Sequence, residues 1–170
     1  PIAPPWLEEL GRDFTALGGV AVLSLITLAV VGFLLLLREV RTAAFVLLSV
    51  LGGVLLSLLL KGLFDRPRPE LVPHLSNVVT SSFPSGHSML SAAVYLTLGG
   101  LLARLQPTLV LKAYVLLFAL LLSFLVGVSR VYVGVHWPTD VIAGWAAGAA
   151  WASLCWIVAQ RLQVRAGDGR

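Results

Sequence analysis

The sequence predicts an all-α, polytopic membrane helix bundle, and three observations predict it. Of 170 residues, 58% are hydrophobic and only 12% are charged, whereas a soluble domain carries about 25% charged residues. The mean hydropathy is +0.95. The apolar residues also collect in runs of about 20, the length that crosses a bilayer as a helix. These runs lack the alternation of barrel strands, and backbone groups in hydrocarbon must be bonded internally, so the runs are helices.

In chain order, Trp6-Leu7-Glu8-Glu9-Leu10 is expected to form a short N-terminal interfacial helix, too polar to cross a bilayer. About five transmembrane helices follow: Phe14–Leu37, Thr42–Leu60, Ser85–Ala103, Pro107–Val128 and Pro138–Gln160. Only the last contains an acidic residue, Asp140, at its very start. Arg38–Arg41 and Arg104–Gln106 are tight turns of the kind that join antiparallel neighbours. Leu63–Pro84 is long and rich in proline, and Ser129–Trp137 is shorter and polar. Five spans then place the two tight turns and the C-terminal tail on one face. The N-terminus and both longer connections lie on the other. Residues 1–170 read as a single membrane-embedded domain without repeats.

Charge orients the bundle. The turn-and-tail face carries Arg38, Arg41, Arg104, Lys112, Arg161, Arg165 and Arg170. The other face carries Arg12, Lys61, Arg66, Arg68 and Arg130, together with most of the acids. By the positive-inside rule the turn-and-tail face is cytoplasmic, and the opposite face looks to the periplasm or cell exterior. Trp6 and Trp137 stand where an interfacial aromatic belt belongs. No signal peptide is visible. A net charge of +4 without a basic stripe and interleaved aromatics gives no nucleic-acid partner. The single Cys155 makes no intrachain disulfide and reads as a small packing residue. Gly144-Trp145-Ala146-Ala147-Gly148, and Gly52-Gly53 with Ser57, are close-packing surfaces. Packing within the bundle is their plain reading, and a homodimer face is the sharper one.

Three clusters stand at span ends, where a membrane protein keeps polar residues few. They are Lys61-(six residues)-Arg68-Pro69, Pro84-Ser85-Gly86-His87, and Ser129-Arg130-(five residues)-His136-(three residues)-Asp140. All lie on the same face. Taken singly, Lys61 is an ordinary snorkelling residue and Arg68 a headgroup anchor. Together with Arg130 they suit the three outer oxygens of a phosphoryl group, with arginine adding a planar fork. Ser85 is placed to cap the third span, and Gly86 lets backbone approach an oxyanion at a helix N-terminus. Asp140, one turn beyond His136, can accept a ring proton and leave the other nitrogen free to attack. The plainer alternative makes Asp140 a helix cap and His136 an interfacial residue. His74 has no partner at a useful spacing. His87, His136 and Asp140 also form a two-histidine, one-carboxylate set, but three cations beside it disfavour a divalent metal.

In this order and spacing, the three clusters resemble the signature of the type 2 phosphatidic acid phosphatase superfamily. The match covers Lys61 to Asp140. The resemblance implies an integral membrane enzyme that hydrolyses a phosphomonoester or diphosphate of a membrane lipid, without cofactor or metal. Phosphatidic acid, phosphatidylglycerophosphate and undecaprenyl diphosphate are the candidate substrates. It implies that His136, oriented by Asp140, forms a phosphohistidine and that His87 protonates the leaving oxygen. Lys61, Arg68, Ser85, Gly86 and Arg130 would bind the phosphoryl oxygens. The expected location is the cytoplasmic (inner) membrane, multi-pass, with the site on the periplasmic or outer side. Membrane members of the family usually have six spans, and a helix preceding Pro1 is the expected account of the difference. The alternatives are a vanadium haloperoxidase-like enzyme and a lipid-phosphate transporter without hydrolysis.

Overall fold

The structure, a computed structural model, describes residues 4–69 and 81–167, with side chains to residue 161. The described residues form six helices and no strand: α1 (Pro5–Leu17), α2 (Val20–Leu36), α3 (Val40–Leu63), α4 (Gly86–Arg104), α5 (Leu109–Tyr132) and α6 (Pro138–Gly167). The four helices α3 to α6 are each long and apolar enough to cross a membrane. The pair α1 and α2, bent by 45°, makes a fifth crossing if taken as one span.

That bend corrects the expected first span. Phe14–Leu37 is not one helix, because two successive glycines interrupt it, and each costs about 1 kcal/mol of helix propensity. The amides of Gly18 and Gly19 bond back to Thr15 and Ala16 carbonyls, ending α1, and Gly19 in extended backbone opens α2. The polar N-terminal helix is also longer than Trp6–Leu10. With Pro5 at its first position, it runs to Leu17 and packs against the end of α5 rather than standing alone. Thr15 Oγ1 lies 2.8 Å from Ser129 Oγ, and the Tyr95 hydroxyl donates to the Leu17 carbonyl at 2.7 Å.

The turn from α2 to α3 ends in a Schellman arrangement. Arg38 N–H bonds to the Leu35 carbonyl and Glu39 N–H to that of Leu34, with Arg38 itself at φ 61°. The turn from α4 to α5 spans Leu105 to Thr108, whose side chain caps α5 by accepting from Leu111 N–H. These two turns lie at one end of the bundle, the turn end. The α3–α4 and α5–α6 connections lie at the other, the cluster end.

At the centre stands α4, the most buried of the four spans, packed against α2, α3, α5 and α6. Lipid offers no hydrophobic drive to pair helices, so association comes from close packing and interhelical hydrogen bonds. The buried positions of α4 are accordingly mostly small, Ser88, Ser91, Ala92, Ala93, Thr97 and Gly99 among them, beside the larger Met89 and Tyr95. Two glycines of α6 meet this surface. A Cβ on Gly144 would lie 2.7 Å from the Ser85 carbonyl oxygen, and one on Gly148 would press still closer on that of Met89. The Gly144–Gly148 motif is thus spent on packing inside the bundle, and so is Gly52, which faces Trp151. Two indoles add interhelical bonds: Trp145 Nε1 donates to Ser123 O at 3.0 Å, and Trp151 Nε1 to Ser49 O at 2.8 Å. Such bonds contribute roughly 0.6 kcal/mol each in a bilayer. By contrast α5 is the least buried span and turns Leu117, Phe118 and Leu121 outward.

Candidate active site

The polar face of the cluster end begins with Arg66-Pro67-Arg68-Pro69. A residue before proline is held in extended backbone, so both arginines are extended, and residues two apart in such a segment point the same way. Both reach the start of α6. Arg68 Nη1 donates to the Val135 carbonyl at 2.8 Å and lies 3.4 Å from His136 Nε2. Arg66 Nη1 donates to Asp140 Oδ1 at 2.7 Å and to Thr139 Oγ1 at 2.8 Å. The segment is fixed on both sides. Trp137 Nε1 donates to Pro67 O at 3.2 Å, Ser82 N–H to Arg66 O at 3.0 Å, and Phe64 meets Phe83 edge-on at 4.8 Å.

The second cluster opens α4, with Ser85 as its N-cap. The Ser85 hydroxyl lies inside the protein, accepting from Ser88 Oγ at 3.0 Å, and its amide donates to the Asp140 carbonyl at 2.9 Å. Gly86 has no side chain where Lys61 passes, since a Cβ there would sit 3.3 Å from Lys61 Cε. Lys61 continues to the Ser81 carbonyl, to which Nζ donates at 3.0 Å. His87 backs onto Gly18, at the break between α1 and α2.

The third cluster turns at Gly134, whose φ of 76° is natural only to glycine. The turn ends α5 just beyond Arg130 and brings His136 and Asp140 under Arg68. His136 is buried, and Asp140 is completely so. The expected hydrogen bond between them is not formed: His136 Nδ1 lies 3.5 Å from Asp140 Oδ2 and has no hydrogen-bond partner among the described residues. The carboxylate is committed elsewhere. Besides Arg66, it accepts from Ser82 Oγ at 2.9 Å and from Trp137 N–H at 3.0 Å. The last contact is the helix-capping bond of a third-position acid, so Asp140 is both the cap of α6 and the near neighbour of the imidazole.

Electrostatics draw the clusters together. Lys61, Arg68 and Arg130 lie within electrostatic reach of His87 and of His136. Burial, and then the charges of Arg68, Arg130 and Lys61, push the His136 pKa down to about 3, against a smaller opposite effect of the Ser82 backbone. His136 is therefore neutral at physiological pH, with a lone pair on the ring nitrogen that faces Arg68. Burial also holds Arg68 below its ordinary value, with Asp140 pulling the other way. Arg130 is buried, and its Nε has no hydrogen-bond partner among the described residues. Three cations thus face two imidazoles, while the nearby carboxylate is already saturated. An anion with several oxygens completes such a site.

All eight residues singled out from the sequence (Lys61, Arg68, Ser85, Gly86, His87, Arg130, His136 and Asp140) come to this end of the bundle. His74 lies outside the described residues. Arg66, Ser82 and the Trp137 amide were not anticipated as partners of Asp140. The proline after each arginine was the available sign for Arg66; nothing in the sequence distinguishes Ser82 from Ser81. Among the described residues no three His, Cys, Asp or Glu side chains group as metal ligands. A hollow of about 650 Å³ opens at the turn end, between α3, α4 and α6, lined by Arg41, Phe45, Arg104, Trp151 and Trp156. It holds neither histidine nor carboxylate, and its size does not make it the site.

The profile described as PAP2 superfamily matches residues 42–163. Phosphatidylglycerophosphatase B of Bacillus subtilis is 36% identical over 148 residues, covering 86% of this chain and 72% of that protein. An undecaprenyl-diphosphatase of Sulfolobus acidocaldarius is 31% identical over 157 residues, covering 87% of this chain and 65% of that one. The crystal structure of a transmembrane PAP2-type phosphatidylglycerolphosphate phosphatase from Bacillus subtilis superposes with a TM-score of 0.86. It has 34% sequence identity, over 94% of this chain and 80% of that one.

Proposed function

The chain belongs to the PAP2 superfamily, and we propose that it hydrolyses a phosphomonoester or diphosphate of a membrane lipid through a phosphohistidine intermediate. It is an integral, multi-pass membrane protein. The observation that carries the mechanism is the buried imidazole of His136, held neutral by burial and by the gathered cations Arg68, Arg130 and Lys61. Lys61, Arg68 and Arg130 hold the phosphoryl oxygens, and the start of α4 at Gly86 adds backbone donors and the positive end of the helix dipole. Ser85 serves chiefly as the cap that shapes this start, since its hydroxyl is turned inward.

His136 Nε2, the ring nitrogen on the Arg68 side, attacks phosphorus while the bond to the lipid oxygen breaks. His87 gives that oxygen its proton. Water, deprotonated by His87, then displaces the phosphoryl group from His136 as inorganic phosphate. The cations stabilise charge spread over the oxygens in both steps, and the covalent intermediate divides one difficult displacement into two. Asp140 balances the positive charge that His136 acquires. No metal takes part in this scheme.

Phosphatidylglycerophosphate, phosphatidic acid and undecaprenyl diphosphate are the proposed substrates, the first favoured by the relatives at 36% and 34% identity. A site at the end of the spans meets a lipid phosphate at headgroup depth. Arg38, Arg41, Arg104 and Arg161 are exposed at the turn end, whereas the cluster-end cations apart from exposed Arg12 (Lys61, Arg66, Arg68 and Arg130) are wholly or partly buried about the site. The turn end is therefore cytoplasmic and the site faces the periplasm or cell exterior, in the cytoplasmic membrane. Phosphate release by purified protein across these three lipids, in detergent and in bilayers, tests the reading. Turnover is expected with chelator present, blocked by vanadate, and lost in His136→Ala by several orders of magnitude, as when a nucleophile is removed. Retained turnover in that variant ends the mechanism.

A further inference from the structure

We infer that Arg66 is a positioning residue, which holds Asp140 and through it sets the charge and placement of His136. The inference deepens the reading above and rests on His136 as nucleophile. Arg66 donates to Asp140 and Thr139, not to either histidine. Its guanidinium lies 5.7 Å over the Trp137 ring, its carbonyl accepts from Ser82 N–H, and its amide donates to Ser81 Oγ. It therefore ties the segment carrying Arg68 to the first turn of α6, one residue from His136.

Burial gives this tie its consequence. Asp140 is 0% exposed, and a buried carboxylate needs a compensating charge. Arg66 supplies it at 2.7 Å. Two neutral donors, Ser82 Oγ and Trp137 N–H, occupy the second oxygen, the one that faces His136 Nδ1. With Arg66 in place, Asp140 presents the imidazole with a partly neutralised charge and a fixed oxygen. Without it, the same carboxylate is a fuller negative charge, held through Oδ2 alone. The other charged or titratable groups about His136 are Lys61 of α3, His87 of α4, Arg130 of α5, and Arg68. Among the described residues these are all cations or histidines, and Asp140 is the anion beside the imidazole whose strength Arg66 governs.

A double-mutant cycle with Arg66→Gln and Asp140→Asn tests the inference, using dioctanoyl phosphatidic acid as substrate. Arg66→Gln should lower kcat by up to about 10²-fold, the scale of a misplaced reacting group, with KM little changed. In the Asp140→Asn background the same change should cost almost nothing further. Arg66→Lys, which keeps the charge, should recover part of kcat and also serves if the Gln variant fails to fold. A second measurement needs no turnover: NMR titration of ring-labelled histidine in micelles should show His136 protonating at higher pH in Arg66→Gln than in the parent. Additive kinetic losses, or a raised KM at constant kcat, would overturn the inference, since Arg66 would then act on the substrate itself. An unmoved His136 titration would overturn it too. If the parent protein releases no phosphate from any lipid, the phosphatase reading fails, and the titration still decides the link from Arg66 to His136.

Discussion

The two ends of the bundle use similar residues to opposite effect. At the cluster end, Lys61, Arg68 and Arg130 are wholly or partly buried, and their approach is fixed by backbone carbonyls, prolines and a helix N-terminus. At the turn end Arg38, Arg41 and Arg104 are exposed, Arg104 lies 5.2 Å over Trp156, and a hollow of about 650 Å³ stands open. Cations kept near water are screened and cost little, so they report membrane orientation. Cations gathered away from water repel one another and are tolerated only where something offsets them. The difference teaches that the candidate chemistry of this protein lies with gathered, buried charge rather than with empty volume.

That contrast can be broken at either end. The largest effect should come from His87→Ala, a loss of about 10²–10⁴-fold in kcat if it is the general acid. A substrate with a good leaving group should recover much of that loss, and equal losses for good and poor leaving groups would reassign the residue. Next comes Gly144→Val, on the face where a Cβ already meets backbone at 2.7 Å. Overpacking of this kind costs about 1–3 kcal/mol, read as a fall in thermal unfolding temperature in detergent. Phe118→Ala on the outward face of α5 should leave that temperature nearly unchanged, and equal falls would contradict the assignment of buried and outward faces.

The pH dependence sharpens the comparison further. Because burial and then the neighbouring cations hold the His136 pKa down to about 3, the nucleophile stays unprotonated throughout the neutral range. An inflection in kcat/KM above pH 5 then belongs to another group, and ring-labelled His136 should show no titration there. Removing a neighbouring cation with Arg68→Gln should raise the pKa, so the acid-side loss of neutral His136 moves to higher pH. The smallest effect is expected at the turn end. Arg104→Ala should change turnover by less than about twofold, as for a surface substitution. A large loss there would mean that the hollow communicates with the chemistry.

The sequence made the spans legible because hydropathy is read over many residues. The ends of α3, α5 and α6 moved by a few residues from expectation. The three clusters were legible because each combines residue types that lipid rarely tolerates at a span end. What was not legible depends on pairings between distant segments. Gly18-Gly19 was visible, but whether two glycines bend a helix or merely pack within it is decided by Val126 and His87, which face Gly18. The bond from Asp140 to His136 was expected from spacing alone. One helical turn does bring the two within 3.5 Å, yet Arg66, Ser82 and the Trp137 amide take the carboxylate first. Ser85 was foreseen as a cap and as a ligand; Ser88 takes the hydroxyl, leaving the cap.

The seam between α4 and α6 has a mechanical consequence. With no side chain at Gly144 or Gly148 to yield, these two helices abut through backbone and have no slack to lose. Bilayers differ in thickness, and spans answer by tilting, at a fraction of a kcal/mol per ångström of mismatch. The Ser85–Asp140 link sits on the stiff pair, so the hold of α4 on the start of α6 keeps its dimensions as the host membrane varies in thickness.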